Sequence, residues 1–258
     1  MENQLYEMKK TCAATLAVLL CFLLIASCGK KATPAPVPLE EAGSISVGDH
    51  VLFGNYPQKK AAGKDTFDPE PIEWRVLEIK DGNAILISEY LLDATEYYYD
   101  MTDVTWETSS LRKWLNGSFY DSAFSESEKN RIQTVINTNP DNPLYGTTGG
   151  NDTEDKVFCL SLEEAQNYFK NAEDRMAAPT DYAVSQGAMT NDDSKLSNGM
   201  KTGWWWLRSP ASSPDRAADV DCYGNIDTEK NADGVDGDYV FAGNNCVRPV
   251  IMISLSGG

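Results

Sequence analysis

The chain has 258 residues, 39 acidic against 22 basic side chains for a net charge of −17, and a single histidine, His50. A field of that sign repels phosphate backbones and argues against nucleic acid as a partner. One histidine also argues against a serine–histidine–aspartate triad or a multi-histidine zinc site, which leaves neutral glycans, peptides, cationic ligands and divalent metals.

Lys9 and Lys10 precede an unbroken apolar stretch from Ala13 to Ala26, which closes on Ile25-Ala26-Ser27-Cys28 and is followed by Gly29 and Lys30-Lys31. This is the order of a secretory signal: basic n-region, apolar h-region, small-residue cleavage site. The stretch falls short of the roughly 20 apolar residues of a spanning helix. Ile-Ala-Ser-Cys resembles the bacterial lipobox. The resemblance implies removal of residues 1–27, lipidation of Cys28 and a membrane-anchored protein on the extracytoplasmic face, since several acyl chains together anchor stably. The alternative is an ordinary secretory signal that leaves Cys28 an incidental thiol. Met8 before Lys9-Lys10 is a more natural start than Met1. Pro34, Pro36 and Pro38 then predict a semi-rigid tether over residues 28–43, with one globular domain over residues 44–258.

Within that domain, Ile72–Ile79 and Ala84–Ser88 flank Asp81-Gly82-Asn83 and predict a hairpin with Trp74 and Val76 on one face. Thr108-Ser109-Ser110 opens a short helix carrying Leu111, Trp114 and Leu115, which Asn116-Gly117 ends. Ser125-x-x-Glu128 and Ser161-x-x-Glu164 fit capping boxes. Their helices are expected to bury Ile132, Val135 and Ile136, and Ala165, Tyr168 and Phe169. Periodicity fades from Ala172 to Asn198. Three brief apolar pieces follow, Trp204–Leu207, Ala218–Tyr223 and Val247–Leu255, and read as strands; Pro249 marks an edge or bulge in the last. The fold class is α+β, a largely antiparallel sheet with several short helices and long loops.

Six ordered motifs carry a resemblance: Val47-Gly48-Asp49 through Tyr56-Pro57, Ile72-x-Trp74-x-Val76-Leu77, Trp106-x-x-Ser109-x-x-Arg112-x-Trp114-Leu115-Asn116, Val157-Phe158-x-Leu160-Ser161, Trp205-Trp206-Leu207-Arg208-Ser209-Pro210 and Val247-Arg248-Pro249. Over about residues 45–255 the chain resembles a bacterial domain family without an assigned function, whose members are surface or secreted proteins. More distantly it is similar to C-type-lectin-like and sulfatase-modifying-enzyme folds, though it has no close-spaced cysteine pair of the oxidase kind. Fold does not settle function.

Candidate sites follow from residue chemistry. As a strand, Trp204-Trp205-Trp206 exposes one aromatic face unless a loop covers it, and exposed tryptophans suit sugar or peptide stacking; burial is the competing reading. Arg208 and Arg248 are candidate ligand contacts whose competing role is structural, in ion pairs or hydrogen bonds to carbonyls. Asp233, Asp236 and Asp238 could offer oxygen ligands to calcium, although Ala232 breaks the EF-hand pattern and the residues favour a solvated acidic loop. Cys222 and Cys246 are candidates for a disulfide in an oxidising compartment, with Cys159 a buried small hydrophobe. No catalytic set stands out and no cofactor beyond calcium is implied. The expected function is a binding or surface-interaction module for glycan or peptide ligands. A carboxylate-based glycan hydrolase and a structural envelope component are the alternatives.

Overall fold

Alternation builds the first sheet. The computed structural model describes residues 35–226 and 236–255, and its strands are numbered here in chain order. β1 (Val37–Pro38) pairs in parallel with β2 (His50–Lys60), and β2 pairs antiparallel with β3 (Phe67–Lys80). Along β3, Ile72, Trp74 and Val76 are buried while Glu73 and Arg75 between them face outward, the period of two of a half-buried strand. Asp81 (φ 49°) and Gly82 (φ 74°) form the turn into β4 (Asn83–Ser88). Positive φ at both central residues is what a type I′ hairpin turn needs.

The last strand closes this sheet. The order is β1-β2-β3-β4-β16-β6, where β16 is Val250–Ser254 and β6 is Ile132–Gln133, and β9 (Val157–Phe158) also pairs with β16. A second, five-stranded sheet runs β14-β13-β12-β15-β5: Asp238–Tyr239, Arg216–Val220, Trp205–Pro210, Cys246–Val247 and Asp93–Ala94. Pro249 stands between β15 and β16, where the chain leaves one sheet for the other. Lacking an N–H, it ends the first ladder at the crossover. Two small antiparallel pairs complete the strands, β7 (Val135–Asn137) with β8 (Thr153–Asp155), and β10 (Thr190–Lys195) with β11 (Lys201–Gly203). The fold is mixed α+β with mostly antiparallel pairing.

The helices are short and capped by side chains. Ser109 accepts from the Arg112 amide at the head of Ser110–Trp114. Ser125 with Glu128, and Ser161 with Glu164, form capping boxes on Glu126–Lys129 and Leu162–Tyr168. At Gly117 (φ −115°, ψ −105°) helical geometry is interrupted, but the chain re-enters a helix over Tyr120–Ala123, so Asn116-Gly117 kinks the segment rather than ending it.

Two expectations fail. The segment after Lys129 is not helical: Ile132 pairs with Ile253 in β6, and Ile136, in β7, is 69 % exposed. β-branched residues beside an open ladder gain more from pairing than from extending a four-residue helix. The end of the tether is not free either, for Val37 and Pro38 pair with Val51 and Leu52, and Leu39 is buried.

Candidate functional site

The signature residues converge inward. Asp155, in β8, is fully buried and accepts from Trp106 Nε1 (3.0 Å), Arg112 Nε (2.6 Å), Asn116 Nδ2 (3.3 Å), Asn137 Nδ2 (2.9 Å) and Thr153 Oγ1 (2.7 Å). Three of those donors, Trp106, Arg112 and Asn116, belong to the Trp106–Asn116 motif. Asn116 Oδ1 also accepts from the amides of Lys156 (2.7 Å) and Val157 (3.2 Å). The motif therefore fastens a helix to β8 and β9 through one carboxylate, a residue that sequence reasoning missed because Asp155 stands outside every motif.

Arg208 and Arg248 have the same character. Arg208 donates to Glu164 Oε1 (2.8 Å), makes a second, closer contact to Glu164 Oε2, and donates to Cys159 O (3.0 Å). Glu164 in turn accepts from the Ser161 amide (2.9 Å), so the capping box and the ion pair share one carboxylate. Arg248 donates from Nε to Ser88 O (2.9 Å) and from Nη1 to Arg175 O (3.0 Å), between the rings of Trp205 (5.1 Å) and Phe169 (5.5 Å). Burial, with the Arg75 guanidinium nearby, pushes its pKa down to about 9. Both guanidiniums are buried and spend most of their donors on the protein itself, while Arg208 Nε and Arg248 Nη2 have no hydrogen-bond partner among the described residues.

The tryptophan run does not form an exposed face. Trp205 and Trp206 are fully buried and Trp204 is half-buried. Trp205 Nε1 donates to Arg175 O (3.2 Å), whereas Trp206 Nε1 donates to Thr95 O (2.9 Å) and its ring meets Tyr97 edge-on (5.7 Å). Both sides of β12 are covered, so alternation places neither ring in water.

Nor is the disulfide formed: Cys159, Cys222 and Cys246 are separate buried thiols. Trp205 pairs with Cys246 on one side and Val220 on the other. β12 thus runs between Cys246 and Val220, the residue two before Cys222. Burial raises all three thiols, Cys159 to about 12. The domain expressed from residue 35 is expected to titrate three free thiols when denatured without reductant and almost none when native, by absorbance with an aromatic disulfide reagent. One thiol in the denatured chain would instead establish a bridge.

Of the calcium candidates, Asp233 lies outside the described residues. Asp236 accepts from Tyr145 Oη (3.1 Å) and Asp238 from the Tyr239 amide (2.7 Å). Among the described residues no cluster of three or more His, Cys, Asp or Glu could hold a metal. His50 Nδ1 is 2.6 Å from Glu73 Oε1 on the outer face of β2 and β3, beside the Arg75–Glu89 ion pair (2.7 Å).

What the fold leaves open is a different aromatic surface. The Tyr98 amide donates to Val240 O (2.8 Å), which sets Tyr97–Tyr99 alongside Tyr239–Phe241. Tyr98 and Tyr99 lie 4.3 Å apart, tilted by 31°, with their hydroxyls hydrogen-bonded, and Tyr239 stacks on Phe241 at 5.5 Å. Arg216 lies 3.9 Å from the Tyr239 ring centre and donates to Gly237 O (2.7 Å), holding that pair from beneath. Tyr99 is 69 % and Phe241 45 % exposed, and Met101 is open to solvent beside them in sequence. The signal for it was the run Glu96-Tyr97-Tyr98-Tyr99-Asp100, three aromatic residues between acids.

Residues 81–255 match the family model described as Domain of unknown function (DUF6273). The first motif and the Ile72–Leu77 motif lie before the matched span. No curated protein and no solved structure matches the chain. With the match covering most of its length and every inward-facing signature from Trp106 onward, the chain belongs to the DUF6273 family.

Proposed function

We propose that this protein is a lipid-anchored, extracytoplasmic binding module of C-type-lectin-like character that presents the Tyr98–Tyr99 and Tyr239–Phe241 surface to glycan or peptide ligands. The observation that carries this reading is the placement of two close aromatic pairs at the surface beside one backbone hydrogen bond, in a domain that fully buries Trp74, Trp106, Trp205 and Trp206. Rings held flat and open offer stacking area to sugar faces and peptide side chains at small entropic cost. The long loops of the mixed α+β fold and the signal-like leader ending at Cys28 agree with such a role. The carboxylates of the signature network, Asp155 and Glu164, are taken up by Arg112 and Arg208 and supply no acid–base pair for hydrolysis.

The test is glycan- and peptide-array binding by residues 35–258, with and without calcium, beside Tyr99→Ser and Phe241→Ser. The wild type is expected to bind selectively. The double variant is expected to lose about ten-fold or more in affinity, equivalent to about 1.4 kcal/mol, with its melting temperature within about 2 °C of wild type. Undiminished binding by the folded double variant would move the site elsewhere, and absence of binding by the folded wild type would refute the module.

A further inference from the structure

A concavity that shares no lining residue with the aromatic surface lies between the loop at Pro140–Leu144 and the start of the helix Leu162–Tyr168, with a volume of about 360 Å³. That is the low end of ligand-site sizes and suits one long side chain. Its walls are apolar, from Pro140, Pro143, Leu144 and Leu162, and its two charged lining groups are Asp141 and Glu163. No lysine or arginine lines it among the described residues.

Its other polar groups are largely spent on the fold. Ser209 Oγ accepts from the Leu162 amide (3.0 Å) and Ser161 Oγ from the Glu164 amide (3.1 Å). Asn142 accepts from the amides of Leu144 (2.9 Å) and Tyr145 (3.2 Å) and donates to Pro210 O (2.9 Å). Asp141 Oδ1 accepts from the Gly149 amide (3.2 Å), and a Cβ on Gly149 would come within 2.1 Å of Asn139 O. The loop is thus fixed by two prolines, an asparagine and a glycine that nothing larger can replace, and it holds one Asp141 oxygen in place. Glu163 is exposed and makes no hydrogen bond or ion pair among the described residues. Its neighbour Glu164 is the one committed to Arg208.

From this charge complementarity we infer that the cleft binds one lysine or arginine side chain of an extended peptide segment. The aliphatic stem lies against Pro140, Pro143, Leu144 and Leu162, and the cationic head meets Asp141 and Glu163. Long basic side chains bury their methylenes while keeping the head polar, and a wall ordered in advance removes part of the cost of binding. This site is separate from the aromatic surface and does not depend on it.

The test uses fluorophore-labelled pentapeptides with a single central lysine or arginine, and the Nε-acetyl-lysine form, titrated by anisotropy against residues 35–258 at about 0.15 M salt, where long-range attraction to the acidic domain is screened. The cationic peptides are expected to bind. Acetylation, and the isosteric double variant Asp141→Asn with Glu163→Gln, should each weaken binding at least ten-fold, while Tyr99→Ser with Phe241→Ser leaves it within two-fold. A control pair, Asp121→Asn with Glu126→Gln, removes the same charge elsewhere and is expected to leave binding unchanged. The inference is overturned if the control weakens binding as much as the cleft pair, if the acetylated peptide binds equally, or if neither cationic peptide binds the folded domain at millimolar concentration.

Discussion

Trp205→Ala and Trp206→Ala will each lower the unfolding free energy by about 3–5 kcal/mol, the range for deleting a large buried aromatic from a packed core. In a domain of this size that corresponds to a fall in melting temperature of roughly 6–20 °C. Both rings are fully buried, so truncation leaves a cavity as well as lost contacts. Trp206→Ala also leaves Thr95 O without its indole donor, whereas Arg175 O, which accepts from Trp205, keeps the Arg248 Nη1 donor. Trp205 carries a further duty, since its ring flanks the Arg248 guanidinium. Trp206→Phe keeps most of the volume and loses the indole donor, and should cost about 1–3 kcal/mol. Thermal and urea unfolding of the three variants checks the order. Near wild-type stability in Trp206→Ala would mean that the ring is not part of the core.

Asp155→Ala should be at least as damaging as either tryptophan variant, although it deletes far fewer atoms. It strands buried donors on Trp106, Asn137 and Thr153 and removes the partner of Arg112. Breaking a buried pair from one side costs about 3–5 kcal/mol, because the remaining groups stay desolvated without compensation. Asp155→Asn is expected to fall between the two, since one carboxylate oxygen becomes an NH2 that faces donors. Arg112→Met should cost less than Asp155→Ala, for the guanidinium is partly exposed and its removal leaves Asp155 four other donors. Urea unfolding midpoints give the ranking. If Arg112→Met proves the worse of the two, Asp155 is not the centre of the network.

What was legible in the sequence was what a few neighbouring residues decide. Asp81-Gly82 sets a turn through its own backbone angles, and Ser125 with Glu128 and Ser161 with Glu164 close their caps within one helical turn. The runs Trp204–Leu207, Ala218–Tyr223 and Val247–Leu255 showed that strands lie there, because brief aromatic or β-branched runs have few other places to go, but not that the last is split between two sheets. Ile132 and Val135 were misread because their partners, Ile253 and Asp155, lie far along the chain. For a related reason the tryptophan run left exposure and burial both open: alternation tells which rings share a face, and the topology decides whether that face meets water. Here β12 is an inner strand with Arg175 beyond one side and Thr95 and Tyr97 beyond the other. The exposed aromatic surface needed the same long-range knowledge, since it exists only where Tyr98 meets Val240.

The pairing of Val37 and Pro38 with β2 shortens the leash. On the lipid-anchored reading, eight residues, 29–36, separate the acylated cysteine from the first docked strand. At about 3.3–3.6 Å per residue they reach at most roughly 30 Å, less than the width of a domain whose radius of gyration is about 17 Å. Such a protein patrols a thin shell above the bilayer, and whatever it captures is either embedded in that shell or delivered into it.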